Sequence, residues 1–311
     1  MKGERAATHG AVVVGAGRMG QAHAEAWAAC GVPVRWVVSP RTRPDLPAAP
    51  DARWTTSLDD ALADPAADIA SICTPTPTHA DLAVQALAAG GNVLLEKPIA
   101  LTLPDAERVA AAAARAPGVL MVAHVVRFFP GYAALAERVA AGSVGLPRAV
   151  LGSRLSAAPA GAEWLADESR SGGMVVDFAI HDVDQANAYL GEPVAVTTVR
   201  APGDRFGTPA AITVEYAAGG VAQLLAVSDL PAGSPFRTTL EVVGDRASDS
   251  LTDLPGDAFT AQARYFLECV ETGAEPARSP VAAAIDALRV CLAARESART
   301  GARVVLVPGA A

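Results

Sequence analysis

The chain reads Ala11-Val12-Val13-Val14-Gly15-Ala16-Gly17-Arg18-Met19-Gly20 close to its N-terminus. The apolar run predicts a buried strand, and the segment Gly20–Cys30 predicts a helix. Between them lies a G-x-G-x-x-G, whose glycines permit a tight turn, close approach of the backbone to a pyrophosphate and close helix–strand packing. The free amides of the helix N-terminus also attract phosphate. The segment predicts a dinucleotide-binding loop, with cofactor contacts from Gly15, Gly17, Arg18, Met19 and Gly20.

Strands and helices alternate outward from this loop over about the first 125 residues, which predicts a parallel sheet covered on both faces. Later β runs follow one another directly, which predicts a mostly antiparallel sheet. We expect an α/β protein. Its N-terminal Rossmann domain, a doubly wound parallel sheet, would span 1–125, and an α+β substrate-binding and oligomerisation domain would span 126–311.

The composition is that of a packed protein with 51% hydrophobic residues and a net charge of −8. An acidic chain without a basic stripe makes nucleic acid and anionic membranes poor partners. Its four cysteines lack CxxC spacing, which fits a reducing cytoplasm. Residues 1–10 lack the apolar stretch of a signal peptide, and nothing resembles a transmembrane segment. We expect a cytoplasmic protein.

The residues after the second predicted strand bear on the choice of cofactor. A carboxylate that binds the ribose 2′-hydroxyl of NAD is expected there, but the chain reads Ser39-Pro40-Arg41-Thr42-Arg43. A hydroxyl and two guanidinium groups suit a 2′-phosphate better, since arginine binds phosphate bidentately. Ser39, Arg41 and Arg43 therefore predict NADP(H) in preference to NAD(H), unless both arginines are merely solvated loop charges.

Two polar segments follow neighbouring predicted strands, where open α/β sheets bind ligands. One is Thr74-Pro75-Thr76-Pro77-Thr78-His79 and the other is Glu96-Lys97-Pro98. Of the 25 Lys and Arg side chains only Lys2 and Lys97 are lysine. Because this chain otherwise uses arginine, the internal Lys97 indicates a role that a guanidinium group cannot fill. Cofactor contacts are expected from Thr74, Pro75, His79, Glu96 and Lys97.

A glycine pair, Gly172-Gly173, opens what the pattern predicts to be one mostly apolar helix over Gly173–Leu190. Asp177 and His181 are four residues apart and would share one face of that helix. Polar side chains on an apolar helix must be partnered or functional. No metal is expected at Asp177, His181 and Asp182, because no further ligand is suitably spaced.

With these motifs the chain resembles the glucose–fructose oxidoreductase/inositol dehydrogenase (Gfo/Idh/MocA) family over nearly its whole length. The resemblance implies that the three catalytic residues are Lys97, Asp177 and His181, and that the Lys97–Pro98 peptide bond is cis. A histidine titrating near neutrality suits proton transfer from a secondary alcohol, and a lysine can stabilise negative charge on the substrate oxygen. Asp177 would orient the imidazole or bind a substrate hydroxyl.

Further substrate contacts are expected from His124, Arg127 and Trp164, alongside Lys97, Asp177 and His181. Arg127 could equally tether the two domains, and Trp164 could equally be a packing residue. The chain between Val243 and Ala258 is brief where relatives carry another strand or two. This places in doubt the homo-oligomer, dimer or tetramer, that the exposed face of the second sheet otherwise predicts.

The expected activity is hydride transfer between NAD(P) and a secondary alcohol or ketone of a sugar, cyclitol or related polyol. Two alternatives remain open at this point. One is a non-enzymatic dinucleotide-binding sensor, and the other is redox-neutral chemistry with transient oxidation, in which the cofactor is reoxidised within each turnover.

Overall fold

The computed structural model describes residues 9–40, 45–158, 163–202 and 207–307. These divide into two compact units. The first unit holds the chain through Ala100, together with Pro104–Phe128 and Asp257–Val281. The second holds Leu101–Leu103, Phe129–Gly256 and the chain from Ala282 onward.

The first unit contains a six-stranded parallel sheet in the order β3-β2-β1-β4-β5-β6. The strands are β1 Ala11–Val14, β2 Val34–Val38, β3 Arg53–Thr55, β4 Ile69–Ile72, β5 Asn92–Glu96 and β6 Leu120–Ala123. Every residue of β1, β4 and β6 is buried, as expected for strands covered on both faces. The strand order reverses between β1 and β4, so the glycine loop lies at the topological switch point. The edge strand β3 was not predicted, because it is short and mostly exposed.

Four helices accompany this sheet in the first part of the chain: α1 Arg18–Ala29, α2 Leu58–Leu62, α3 His79–Ala88 and α4 Leu103–Ala113. The Ser57 hydroxyl accepts a hydrogen bond from the amide of Asp60 and caps α2. Short 3₁₀ turns at Thr76–Thr78 and Val125–Phe128 follow β4 and β6.

The second unit contains a seven-stranded sheet in the order β12-β11-β7-β10-β9-β8-β13. The strands are β7 Pro147–Ala157, β8 Pro193–Arg200, β9 Ala210–Tyr216, β10 Val221–Leu230, β11 Arg237–Gly244, β12 Ser248–Ser250 and β13 Val304–Val305. Every pairing is antiparallel except that of β10 with β7. These two sheets confirm the predicted fold class. Ser248–Ser250 pairs with β11, so the brief segment after Val243 does carry a strand.

The remaining helices are α5 Pro130–Ala140, α6 Glu163–Ala166, α7 Glu168–Ser171, α8 Gly173–Asp177, α9 Ile180–Leu190, α10 Ala258–Thr272 and α11 Val281–Thr300. The prediction of a single helix over Gly173–Leu190 is wrong, because the helix is interrupted at Phe178 and Ala179. The amides of both residues bond to the carbonyl of Met174, at 2.8 and 3.1 Å. A new helix then begins, with the carbonyl of Ala179 accepting from Asp182 and Val183.

Helix α10 is part of the first unit, whereas the predicted division at 125/126 places it in the second domain. Its buried residues include Phe266, whose ring meets that of Trp27 on α1 edge to face with centroids 6.3 Å apart. Both rings are fully buried in one apolar cluster with residues of the sheet. A late segment returns because its apolar face covers α1, a long-range contact that local periodicity does not reveal.

Candidate functional site

The glycine loop joins β1 to α1, and two of its glycines are required by the fold itself. Gly15 has φ +91°, and a Cβ there would lie 2.9 Å from the carbonyl oxygen of Cys73. A Cβ on Gly20 would lie 1.9 Å from the carbonyl oxygen of Gly15. These two residues hold α1 close to the sheet.

Gly17 differs from its neighbours, since a Cβ there would meet no protein atom within 4 Å. It is the N-cap of α1, makes no side-chain cap, and no acidic residue occupies the first turn. Arg18 and Gly17 are exposed, and Met19 is partly buried. The helix end thus offers uncapped amides and open space to an anion, which fits a dinucleotide pyrophosphate.

At the end of β2, Ser39 is held by the edge strand. Its amide donates to the carbonyl of Thr55 at 3.1 Å, and the indole Nε1 of Trp54 donates to its carbonyl at 3.3 Å. Trp54 is partly exposed beside it. Arg41 and Arg43, predicted to bind a 2′-phosphate, lie outside the described residues.

His79 lies after the turn that follows β4 and is buried. Its Nδ1 lies 2.8 Å from the carbonyl oxygen of Pro98, and its Nε2 lies 2.8 Å from that of Thr74. Burial lowers the pKa of His79, against the opposing effect of these two carbonyls. The ring therefore joins the segments that follow β4 and β5. Thr74 is partly buried and Pro75 exposed, so these two keep surface toward solvent.

The segment Glu96-Lys97-Pro98 follows β5, and the Lys97–Pro98 bond is cis, as the resemblance implied. Lys97 is partly buried. Glu96 is buried, with Oε1 2.9 Å from Nε2 of His23 and Oε2 accepting from the amide of Lys97 at 3.1 Å. Glu96 therefore faces the protein interior, although it was predicted to bind cofactor.

His23 was not singled out from the sequence. Burial disfavours its charge, but the Cys73 and Glu96 side chains raise the pKa of its imidazole to about 10. Burial alone would raise the pKa of Glu96, yet the contact with His23 holds it below the usual range. The available signal was periodicity, since His23 lies on the buried face of α1 between Gly20 and Trp27.

His124 and Arg127 follow β6 within the first unit. His124 is buried, and its amide donates to the carbonyl of Val122. The Arg127 guanidinium donates to the carbonyl of Arg278 at 3.0 Å, and that of Arg278 donates back to the Arg127 carbonyl at 2.7 Å. Arg127 therefore tethers two segments of one unit, and its contact with substrate stays a prediction.

In the second unit, a left-handed glycine pair leads into α8, with φ +80° at Gly172 and +76° at Gly173. Asp177 ends α8 and His181 lies in the first turn of α9, both partly buried. The prediction that Asp177 and His181 share one helix face is wrong, because the break places them on two different helices. Trp164 lies partly buried on the short helix α6.

Next to His181, Asp182 forms a buried ion pair with Arg154 on β7. The guanidinium Nε and Nη2 donate to the two carboxylate oxygens at 2.8 and 3.0 Å, and both side chains are nearly inaccessible to solvent. The pair holds the start of α9 on the sheet. Among the described residues, no three His, Cys, Asp or Glu side chains are grouped to hold a metal ion.

The fold and the glycine loop define a dinucleotide-binding protein of the Rossmann class with a second α+β unit. Residues 10–124 match the family model described as "Oxidoreductase family, NAD-binding Rossmann fold", and residues 132–248 match the GFO/IDH/MocA C-terminal domain. The chain belongs to the Gfo/Idh/MocA oxidoreductase family.

Relatives named for polyol and sugar dehydrogenation are similar over most of the chain. The scyllo-inositol 2-dehydrogenase (NAD(+)) of Bacillus subtilis is 27% identical, with 82% of each chain covered. The D-xylose 1-dehydrogenase (NADP(+)) 2 of Haloferax volcanii is 30% identical, covering 80% of this chain and 84% of the relative. A solved structure of GenD2 from gentamicin A biosynthesis, in complex with NAD, is 27% identical with a TM-score of 0.88 and 98% of both chains covered.

Within the described part of the chain, none of the helices combines the length and apolar character needed to cross a membrane. Cys30, Cys73, Cys269 and Cys291 form no disulfide.

Proposed function

We propose that this chain is a dehydrogenase or ketoreductase that transfers hydride between NAD(P) and a secondary alcohol or ketone of a sugar, cyclitol or related polyol. NADP(H) is favoured over NAD(H), and the protein acts in the cytoplasm. One observation carries the proposal. Three adjacent strands, β1, β4 and β5, end in the open Gly17 loop, in Thr74 and in Lys97, at the edge where such sheets bind ligands.

The first unit supplies the cofactor site. The amides at Gly17 and Arg18 and the small Gly15 and Gly20 suit a pyrophosphate, while Thr74 and Pro75 line the next strand end. The nicotinamide ring supplies the hydride acceptor or donor when bound. Ser39 with Arg41 and Arg43 suits a ribose 2′-phosphate, which is why we favour NADP(H).

Lys97, Asp177 and His181 carry the acid–base chemistry in this proposal. His181 takes the hydroxyl proton during oxidation and returns it during reduction. The Lys97 ammonium stabilises the negative charge that develops on the substrate oxygen. Asp177 orients the imidazole or accepts a bond from a neighbouring substrate hydroxyl. His124, Arg127 and Trp164 stay predicted substrate contacts.

The test is a panel of polyols and keto-sugars, including myo-inositol, scyllo-inositol and D-xylose, followed by nicotinamide absorbance with NAD and with NADP. We expect turnover of at least one compound. Lys97→Arg keeps the charge but loses the compact ammonium, and His181→Ala removes the group that takes the hydroxyl proton. Both variants should fold normally and lose about 10²–10⁴-fold in kcat. Lys2→Arg is the matched control, because it alters the other lysine of the chain.

Near-wild-type turnover by a folded Lys97→Arg or His181→Ala variant would show that the site is misplaced. No turnover across the panel, together with tight cofactor binding, would favour the alternative that the protein is a non-enzymatic dinucleotide-binding sensor. A cofactor that stays bound through purification and is reoxidised within each turnover would favour redox-neutral chemistry.

A further inference from the structure

A buried polar network lies beneath Lys97 and joins three elements of the first unit. Glu96, at the end of β5, contacts His23 on α1 at 2.9 Å. The Nδ1 of His23 lies 3.1 Å from the hydroxyl of Ser71 on β4, which accepts from the indole of Trp27 at 2.8 Å. All four side chains are buried. The network therefore runs from the helix of the glycine loop to the strand that ends in Lys97.

The contact between the network and Lys97 is direct. The second oxygen of Glu96 accepts the main-chain amide of Lys97 at 3.1 Å. On the far side of the lysine, the carbonyl of Pro98 faces Nδ1 of His79 at 2.8 Å. The main chain is therefore held on both sides of Lys97. His23 acts through the Glu96 carboxylate, and His79 contacts the Pro98 carbonyl directly.

Packing alone does not account for this choice of residues. The surrounding core is apolar, with Leu94, Leu95 and Ile72 fully buried nearby in the sheet. A buried ion pair is seldom more stabilising than apolar residues of similar size, because both charges lose their hydration. Such a pair instead fixes orientation, because the Glu96 carboxylate can contact His23 and accept the Lys97 amide at the same time in only one geometry.

We propose that His23 and Glu96 form a positioning pair that fixes the main chain at Lys97, and so directs its ammonium group relative to the glycine loop on α1. This inference rests on the proposed function, in which Lys97 acts on the substrate oxygen. His23 and Glu96 touch neither substrate nor cofactor in this role. They act through Lys97.

The chain allows a test that needs no substrate, because Lys97 and Lys2 are its only lysines. Lysine labelled with ¹³C at Cε should give two NMR signals from the full-length protein, assigned with Lys97→Arg. Glu96→Gln keeps an acceptor for the Lys97 amide but removes the charge that pairs with His23. We expect Glu96→Gln and His23→Leu to shift the Lys97 signal and leave the Lys2 signal in place.

Ser71→Ala is the matched control. It removes the hydroxyl that binds Trp27 and His23 but leaves the contact between His23 and Glu96, so it should lower stability without moving the Lys97 signal. His23→Gln, which retains a donor toward Glu96, should restore the Lys97 signal toward its wild-type position. With a substrate from the panel, Glu96→Gln should lower kcat by about 10- to 100-fold, while KM and the dissociation constant for NADP change little.

An unshifted Lys97 signal in folded Glu96→Gln overturns the inference, as does an equal shift in Ser71→Ala. If His23→Leu does not fold, the Glu96→Gln and His23→Gln spectra decide. Normal turnover by Lys97→Arg would overturn the proposed function instead, and the lysine spectra would still decide whether the pair positions Lys97.

Discussion

At the scale of single residues, the three glycines of the phosphate loop have separable roles. Gly15 and Gly20 are small because neighbouring main-chain atoms leave no room for a Cβ. Gly17 faces open space and has φ −75°, so neither crowding nor backbone conformation requires glycine there. The structure thereby separates two glycines that the fold requires from one that it does not, and the open space at Gly17 is the reason we propose that its backbone approaches the pyrophosphate.

Gly17→Val should fold with a thermal midpoint near that of the wild type and lose NADP binding, because its side chain would obstruct the pyrophosphate. Gly20→Val should instead destabilise the protein, since its Cβ would collide with the Gly15 carbonyl. Calorimetric titration and thermal melts followed by circular dichroism measure both effects. Unchanged affinity in a folded Gly17→Val variant would reject the loop as the cofactor site.

NADP should bind more tightly than NAD by roughly tenfold or more, since hydrogen bonds to a charged phosphate contribute about 1.5–3 kcal/mol. Replacing Arg41 and Arg43 together with alanine should remove this preference. Arg53→Ala is the control, because that guanidinium is engaged by Asp64 and lies over the ring of Trp36. Dissociation constants that favour NAD would contradict the cofactor assignment. A preference for NADP that survives the double substitution would show that Arg41 and Arg43 are not its source.

At the scale of elements, the second unit depends on how α9 is attached to its sheet. The helix begins at Ile180 after a break, and Asp182 in its first turn is bound bidentately by Arg154 of β7. The Arg154 guanidinium also lies within 6 Å of the Phe178 and Phe236 ring centroids, at 5.8 and 5.6 Å. One buried arginine therefore joins the strand, the helix break and the start of the helix that carries His181.

Arg154→Met should lower the free energy of unfolding by about 3–5 kcal/mol, because it leaves the Asp182 carboxylate buried without its partner. Adding Asp182→Leu should recover most of this loss, since no unpaired charge then remains. Arg138→Met, which breaks the more exposed pair with Asp249, is the control and should cost much less. Urea unfolding measures all of these variants, and equal losses from the Arg154 and Arg138 changes would refute the argument.

At the scale of the whole molecule, the outer face of the second sheet exposes apolar side chains. Leu151 on β7 and Leu225 on β10 are 42% and 41% exposed, and they line a concavity of about 700 Å³ with residues of β9 and β11. Thr213, Gln223 and Thr239 lie among them, so the face is of mixed polarity, and exposed apolar side chains on such a face are a common site of protein–protein contact. The presence of β12 also removes the earlier reason to expect a smaller sheet.

We therefore expect a homo-oligomer, most simply a dimer that buries this face, although a tetramer would cover it equally well. Leu151→Asp with Leu225→Asp should give monomers, whereas Val307→Asp, at an exposed site beyond the last strand, should not. Light scattering coupled to size exclusion measures the mass directly. A wild-type monomer at micromolar concentration would contradict the prediction.

The sequence alone determined the features that rest on local pattern. Apolar runs located most strands, and G-x-G-x-x-G between a strand and a helix located the phosphate loop. The same motifs identified the family, and with it Lys97, Asp177 and His181 as candidate catalytic residues. These signals lie within a few residues of one another, so they can be recognised without knowing the fold.

Other features were decided only by tertiary structure. The pairing of His23 with Glu96 joins residues 73 positions apart, and α10 returns to cover Trp27 from far along the chain. The break at Phe178 interrupts a pattern that reads as one continuous helix. Each of these depends on which distant groups become buried together, and burial is a property of the packed molecule that no local spacing of residues contains.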